Sequence, residues 1–110
     1  MAKNYIQEGD TITLTAPYAV VSGAGALVGT IFGVALVTLA SGAVGEFMVE
    51  GVWTMAKTSA QAWTVGARIY WDDTAKLCTT TATSNTLIGV ATAIAANPSS
   101  TGNVRLNGSF

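Results

Sequence analysis

A chain of 110 residues is enough for one domain with one modest core, and half of its residues are apolar. Lys, Arg, Asp and Glu together make up only 10% of it and the net charge is −1, against about 25% charged residues in an ordinary soluble domain. The five cations are scattered at Lys3, Lys57, Arg68, Lys76 and Arg105, which excludes the clustered basic patch of a nucleic-acid binder; so uncharged a surface calls for burial against partners or in a membrane.

Taken in chain order, Met1 to Asn4 lacks the apolar stretch of a signal peptide. Ala2 to Gln7 precedes the first strand and is expected to reach out as an arm. A turn at Glu8-Gly9-Asp10 launches Thr11-Ile12-Thr13-Leu14-Thr15, whose alternation is that of a half-buried strand. A second strand is expected over Tyr18 to Ser22, followed by an exposed loop over Ser22 to Ala26. The stretch from Val20 to Gly29 looks like a dinucleotide fingerprint, but Val28 stands where the third glycine should be, and Ile31-Phe32-Gly33-Val34 is a poor crossover helix.

Leu27 to Gly45 carries no charge and is long enough to span a bilayer as a helix. It is nevertheless rich in β-branched residues, broken by glycines and flanked by nothing basic, so short strands are the better reading. Glu46-Phe47-Met48-Val49-Glu50 alternates, placing Phe47 and Val49 on the inward face. Ser59 to Trp63 can form one turn. Arg68 to Trp71 reads as a strand, Asp72-Asp73-Thr74-Ala75 as a hairpin turn, and Ala75 to Thr79 as its return. The Gly-Val-Ala runs at Gly33 to Ala35 and at Gly89 to Ala91 and the alternating Asn103 to Asn107 read as further strands, with an exposed loop over Ala93 to Gly102.

The chain also repeats itself. Gly9 and Ile12 return as Gly66 and Ile69; Thr30-x-x-Gly33-Val34-Ala35 returns as Thr86-x-x-Gly89-Val90-Ala91; the segment from Gly45 to Gly51 returns from Gly102 to Gly108, and Trp53 then meets Phe110. The blocks keep their order at shifts of 56 or 57 residues, which predicts two tandem copies of one β unit, about 1–57 and 58–110, within a single domain. The expected fold is all-β: a small compact barrel or sandwich with internal pseudo-twofold symmetry and almost no helix. Many short strands bring many edges, and edges invite association.

Chemistry is harder to find. There is no histidine, and so no His-based triad. Cys78, the only cysteine, reads as a small buried hydrophobe, and a lone cysteine forms no intrachain disulfide, which suits a reducing cytoplasm. Asp72-Asp73 offers too few oxygens for a metal. The expectation is no catalytic, cofactor or metal site, no small-molecule substrate and no enzyme. Trp53, Trp63, Tyr70 and Trp71 can be core or interface anchors; Tyr70 and Trp71 are adjacent on one strand and must face opposite ways.

Lys3-Asn4-Tyr5, Gly9-Asp10-x-Ile12-x-Leu14, Tyr18-x-Val20-x-Ser22-Gly23, Phe32-Gly33-Val34-Ala35, Tyr70-Trp71-Asp72-Asp73, Leu87-Ile88-Gly89-Val90-Ala91 and Val104 to Phe110 resemble a family of short phage and prophage proteins, the capsid cement or decoration proteins of tailed phages. The resemblance runs over nearly the whole chain. It implies a structural virion protein, made in the host cytoplasm, that docks on the outer capsid surface, binds the major capsid protein and stabilises the shell, typically as a homotrimer. No nucleic acid or membrane is implied as partner. Candidate capsid or oligomer contacts are Ala2, Lys3, Asn4, Tyr5, Ile6, Trp53, Trp63 and Tyr70. Another virion β module, from tail or fibre, is the main alternative, with a small membrane protein behind it.

Overall fold

The computed structural model describes residues 11–107, which form nine strands and no helix. Strands β1 (Thr11–Thr15), β2 (Gly25–Val28), β3 (Ile31–Ala35) and β4 (Val44–Met48) make one sheet in the order β1-β4-β3-β2. Strands β5 (Glu50–Ala56), β6 (Arg68–Asp72), β7 (Leu77–Thr79), β8 (Thr86–Ala91) and β9 (Thr101–Asn107) make the other, in the order β5-β9-β8-β6-β7. Every ladder is antiparallel. The fold is therefore all-β, as the alternating sequence demands, and no helix among the described residues is long and apolar enough to cross a membrane. The segment from Leu27 to Gly45 is spent on the end of β2, on β3, on the loop after it and on the start of β4.

Alternation decides the faces. Phe47 and Val49 are buried while Glu46 and Glu50 are exposed, so the chain passes from one sheet to the next at Val49 without losing its inward side. The main core lies between the sheets: Phe32 and Val34 from β3 meet Met55, Ile69, Trp71 and Val104 from the second sheet. The Phe32 and Trp71 rings sit 4.9 Å apart at 51°, a tilted geometry that aromatic quadrupoles favour. A smaller cluster of Ala16, Val20, Ala26, Ala35, Leu39 and Phe47 fills the first sheet. The second sheet curls until β7 returns to the end of β5, where the Thr58 amide donates to the Cys78 carbonyl at 2.9 Å. A single parallel bridge, Lys57 to Cys78, joins them in place of a ladder.

The two sheets share one hydrogen-bonding plan. Val34 and Ala35 pair with Met48 and Phe47, as Val90 and Ala91 pair with Arg105 and Val104. Ile12 opposes Phe47, as Trp53 opposes Val104. Ala26 opposes Gly33, as Ile69 opposes Gly89. By this plan β5 takes the place of β1, and β6 the place of β2. The later blocks recognised in the sequence occupy matching places, but the first does not: Ile69 stands where Ala26 stands, not where Ile12 does, and Gly66 answers to Gly23. Gly9 and Phe110 lie outside the described residues. Tyr18 to Ser22 is not a strand either, carrying only an isolated bridge at Val20; its supposed counterpart β7 belongs to a hairpin for which the first sheet has no equivalent. The expected loop at Ser22 to Ala26 is shorter than read, because β2 starts at Gly25 and Ala26 is buried beneath it. The Ala93 to Gly102 loop likewise ends at Thr101, where β9 begins.

Candidate functional site

The long connections are woven into two loop locks. In the first, the 16–24 segment meets the 36–43 segment: Val20 and Leu39 exchange backbone bonds at 2.8 and 2.9 Å, and the Gly23 amide donates to the Ala35 carbonyl at 2.8 Å. In the second, Trp63 and Ala95 exchange bonds at 2.9 and 3.1 Å, and the Gly66 amide donates to the Ala91 carbonyl at 2.8 Å. Gly23 and Gly66 have φ of +87° and +86°, which glycine adopts without a Cβ penalty. The packing beneath is a trade of volumes. Val20 and Leu39 in one lock are replaced by Trp63 and Ala95 in the other. Each lock rests on a glycine, since a Cβ on Gly45 would strike Leu39 and one on Gly102 would strike the Trp63 ring.

The second lock holds a buried cation. The Lys57 amino group donates to the carbonyls of Thr58 at 2.9 Å, Ser99 at 3.3 Å and Ala96 at 3.4 Å, and lies 5.7 Å from the centre of the Trp63 ring. All three of its donors are used, so this lysine staples the 96–99 loop and is withdrawn from the surface. The sequence shows Lys57 only as an isolated charge; the one hint is that the following residues are uncharged as far as Ala67.

A cavity of about 310 Å³ opens between the first lock and the second sheet, lined by Tyr18, Val20, Ala24, Gly25, Met55 and Trp71, with Lys76 beside it. Here the hairpin turn read at Asp72 to Ala75 falls one residue later, at 73–76, because Asp72 still pairs with Leu77 at the end of β6 and β7 begins only at Leu77. Asp72 Oδ1 accepts from the amides of Thr74 and Ala75 at 3.0 and 3.1 Å. Asp73 accepts from Trp71 Nε1 at 3.0 Å and pairs with Lys76 at 2.9 Å, while Lys76 Nζ sits 4.1 Å from the centre of the Tyr18 ring. Burial works to raise the Asp73 pKa, but the hydrogen bonds from Lys76 and Trp71 and the Lys76 charge together hold it below its ordinary value. Burial, and then the Asp73 charge, push the Tyr18 hydroxyl up. Both carboxylates and the Lys76 amino group are committed to neighbours, so the cluster braces the hairpin against the first lock. The cavity itself is lined mainly by apolar atoms. Burial also pushes the Cys78 thiol up to about 12, which leaves it a weak nucleophile. Among the described residues no group of three or more His, Cys, Asp or Glu is placed to hold a metal ion.

The contact residues expected from the sequence are not brought together as one patch. Ala2, Lys3, Asn4, Tyr5 and Ile6 lie outside the described residues. Trp53 is half-buried on β5, its Nε1 donating to the Glu50 carbonyl at 2.9 Å, beside an open groove formed with Met48, Gly51 and Val52. Tyr70 is half-buried and Trp71 is the member of that pair that faces the core. Trp63 is 1% exposed: it fills the second lock over Gly102 and has no face left for a partner.

What the sequence reading missed is the outer rim of the locks. Of the seven large hydrophobic residues exposed among those described, five sit there: Val21, Leu36 and Val37 on the first, Val65 and Ile94 on the second. No charged residue occurs from Ala16 to Gly45, from Thr58 to Ala67, or from Leu77 to Val104, so neither rim carries a charge of its own.

A family model described as phage cement protein matches residues 6–106. No curated protein matches the chain, and no solved structure does.

Proposed function

The chain belongs to the phage cement protein family, and on that premise we propose how it holds a shell. It is a structural virion protein, not an enzyme; it sits on the outer surface of the capsid and binds the major capsid protein there.

The grip we propose is apolar and backbone-mediated. The observation that carries this reading is the pair of charge-free loop locks with their exposed Val and Ile side chains. Contacts of this kind gain little from electrostatic steering, so occupancy of purified shells changes little between low and moderate salt. A steep loss over that range, followed by co-sedimentation, would overturn the reading.

The protein acts as a homotrimer, so each unit presents three equal contacts and avidity exceeds that of one contact by about 10²–10⁴-fold. The arm from Ala2 to Gln7, with Tyr5 and Ile6, reaches a capsid subunit or a neighbouring protomer, and Trp53 and Tyr70 contribute from their strands. Deleting residues 2–7 then weakens shell binding and leaves the thermal unfolding of the domain in place; unchanged binding refutes the arm. Light scattering on a sizing column reads the trimer directly. The domain is built from a duplicated β unit, and its second sheet is the more nearly closed of the two; the matching hydrogen bonds of the two sheets support the duplication.

A further inference from the structure

The two locks supply an internal comparison of their rims: exposed Val21 and Leu36 of the first match Thr64 and Thr92 of the second, while Val65 and Ile94, the two most exposed large hydrophobic residues among those described, stand only on the second. In the first lock, Ser22 and Thr38 face each other: the Ser22 amide donates to Thr38 Oγ1 at 3.1 Å, and the Ser22 hydroxyl donates to the Leu36 carbonyl at 3.2 Å. In the second lock the matching positions are Val65 and Ile94, fixed by the shared bonds on either side of them. Their side chains are 66% and 80% exposed. The same backbone closes with a polar pair in one lock, so the fold does not require an apolar pair in the other. Val65 and Ile94 stand bare at a place where the molecule demonstrably tolerates serine and threonine.

We propose that the Val65–Ile94 tip is a contact point with the major capsid protein, seated against an apolar, uncharged area of the shell's outer surface. The inference rests on the family reading for the identity of the partner. The chemistry of that partner follows from the tip: with no charge from Thr58 to Ala67 or from Leu77 to Val104, a charged counter-surface would lose its water for nothing in return, whereas an apolar one gains from burial. Lys57, fully bonded to three carbonyls beneath the lock, keeps the loop in shape while its outer side chains meet a partner, so little ordering is needed on docking.

The test is the double variant Val65→Ser with Ile94→Thr, which rewrites the second tip as the first. It should fold as the parent does, read by thermal melting, and keep the same mass by light scattering. Its affinity for purified shells of the cognate major capsid protein should fall at least tenfold. Unchanged shell affinity overturns the proposal. Loss of self-association along with binding overturns it too, in favour of a second copy of this chain as the occupant. So does a fall in affinity for Val21→Ser with Val37→Ser that the Val65 and Ile94 variant does not share. A parent chain that itself fails to bind shells refutes the family-based function instead, and is seen before any variant is made.

Discussion

The two sheets run one backbone plan with different side chains, and the differences fall where the plan leaves room. The first lock fills its interior with Val20 and Leu39; the second does so with Trp63 and Ala95. Ala16 closes the base of the first, and Lys57, buried and stapled to three carbonyls, closes the base of the second. The second sheet also carries the β6–β7 hairpin, which packs Lys76 over Tyr18 of the first lock. What stays fixed is the hydrogen bonding and the need for a residue without a side chain at Gly33 and Gly89, and at Gly45 and Gly102. Interiors are close-packed, so a change at one position must be answered at its neighbour.

The largest break in that correspondence is expected at the glycine pair of the central strands. A Cβ on Gly89 would fall on the Arg105 carbonyl of the neighbouring strand, whereas one on Gly33 would stand 2.9 Å from Phe47 Cβ. Backbone gives way less readily than a side chain, so Gly89→Ala should destabilise by more than about 3 kcal/mol and Gly33→Ala by less, in denaturant titration. Next comes Lys57→Met, which leaves three carbonyls without their donor and should cost about 2–3 kcal/mol. Hydrogen exchange at the 96–100 segment should rise in that variant, and the first lock, whose matching residue is Ala16, should be unaffected.

A smaller effect follows from Cys78. Its folded pKa is raised to about 12 from an ordinary 9.0, so above pH 9 the unfolded chain gives up its proton first. Stability that is fully present below that value is therefore lost as pH rises. The loss should reach about 1–2 kcal/mol by pH 10, and Cys78→Val should remove that part of the slope. The folded thiol should also resist alkylation at pH 8 until denaturant is added. The smallest effect is expected at the first tip: Ser22→Ala removes one exposed hydrogen bond and should cost about 0.5 kcal/mol. A larger loss there would mean that the polar pair holds the lock closed and is not merely tolerated by it.

Strand positions were legible because alternation survives in short windows: Thr11 to Thr15 and Arg68 to Trp71 read correctly as strands, and Glu46 to Glu50 read correctly for its faces, with Phe47 and Val49 inside, although it spans the end of β4 and the start of β5 with the passage between sheets at Val49. The Asp72 turn was legible because an Asx side chain captures nearby amides wherever it occurs. The offset of the first repeated block was not legible, because it rested on a glycine followed three residues later by isoleucine. Ile12 and Ile69 are both strand residues facing inward, and only pairing partners tell their places apart. The β6–β7 hairpin, which has no equivalent in the first sheet, sets the later blocks at a different offset and hides the structural match of Gly23 with Gly66. Trp63 could not be assigned to core or surface, because its burial depends on Gly102, far along the chain. The exposed Val65–Ile94 tip was overlooked for a related reason: apolar residues in a charge-free stretch look the same from the sequence whether they point in or out.

The bonds that shape each lock run through main-chain atoms of Val20 or Trp63, Gly23 or Gly66, and Ala35 or Ala91. The side chains at positions 64, 65, 92 and 94 are outside that set, each exposed. Such a rim behaves like an interchangeable tool head on a constant shank: it can be refitted by point substitution to follow a drifting surface on the partner while the scaffold beneath keeps its geometry.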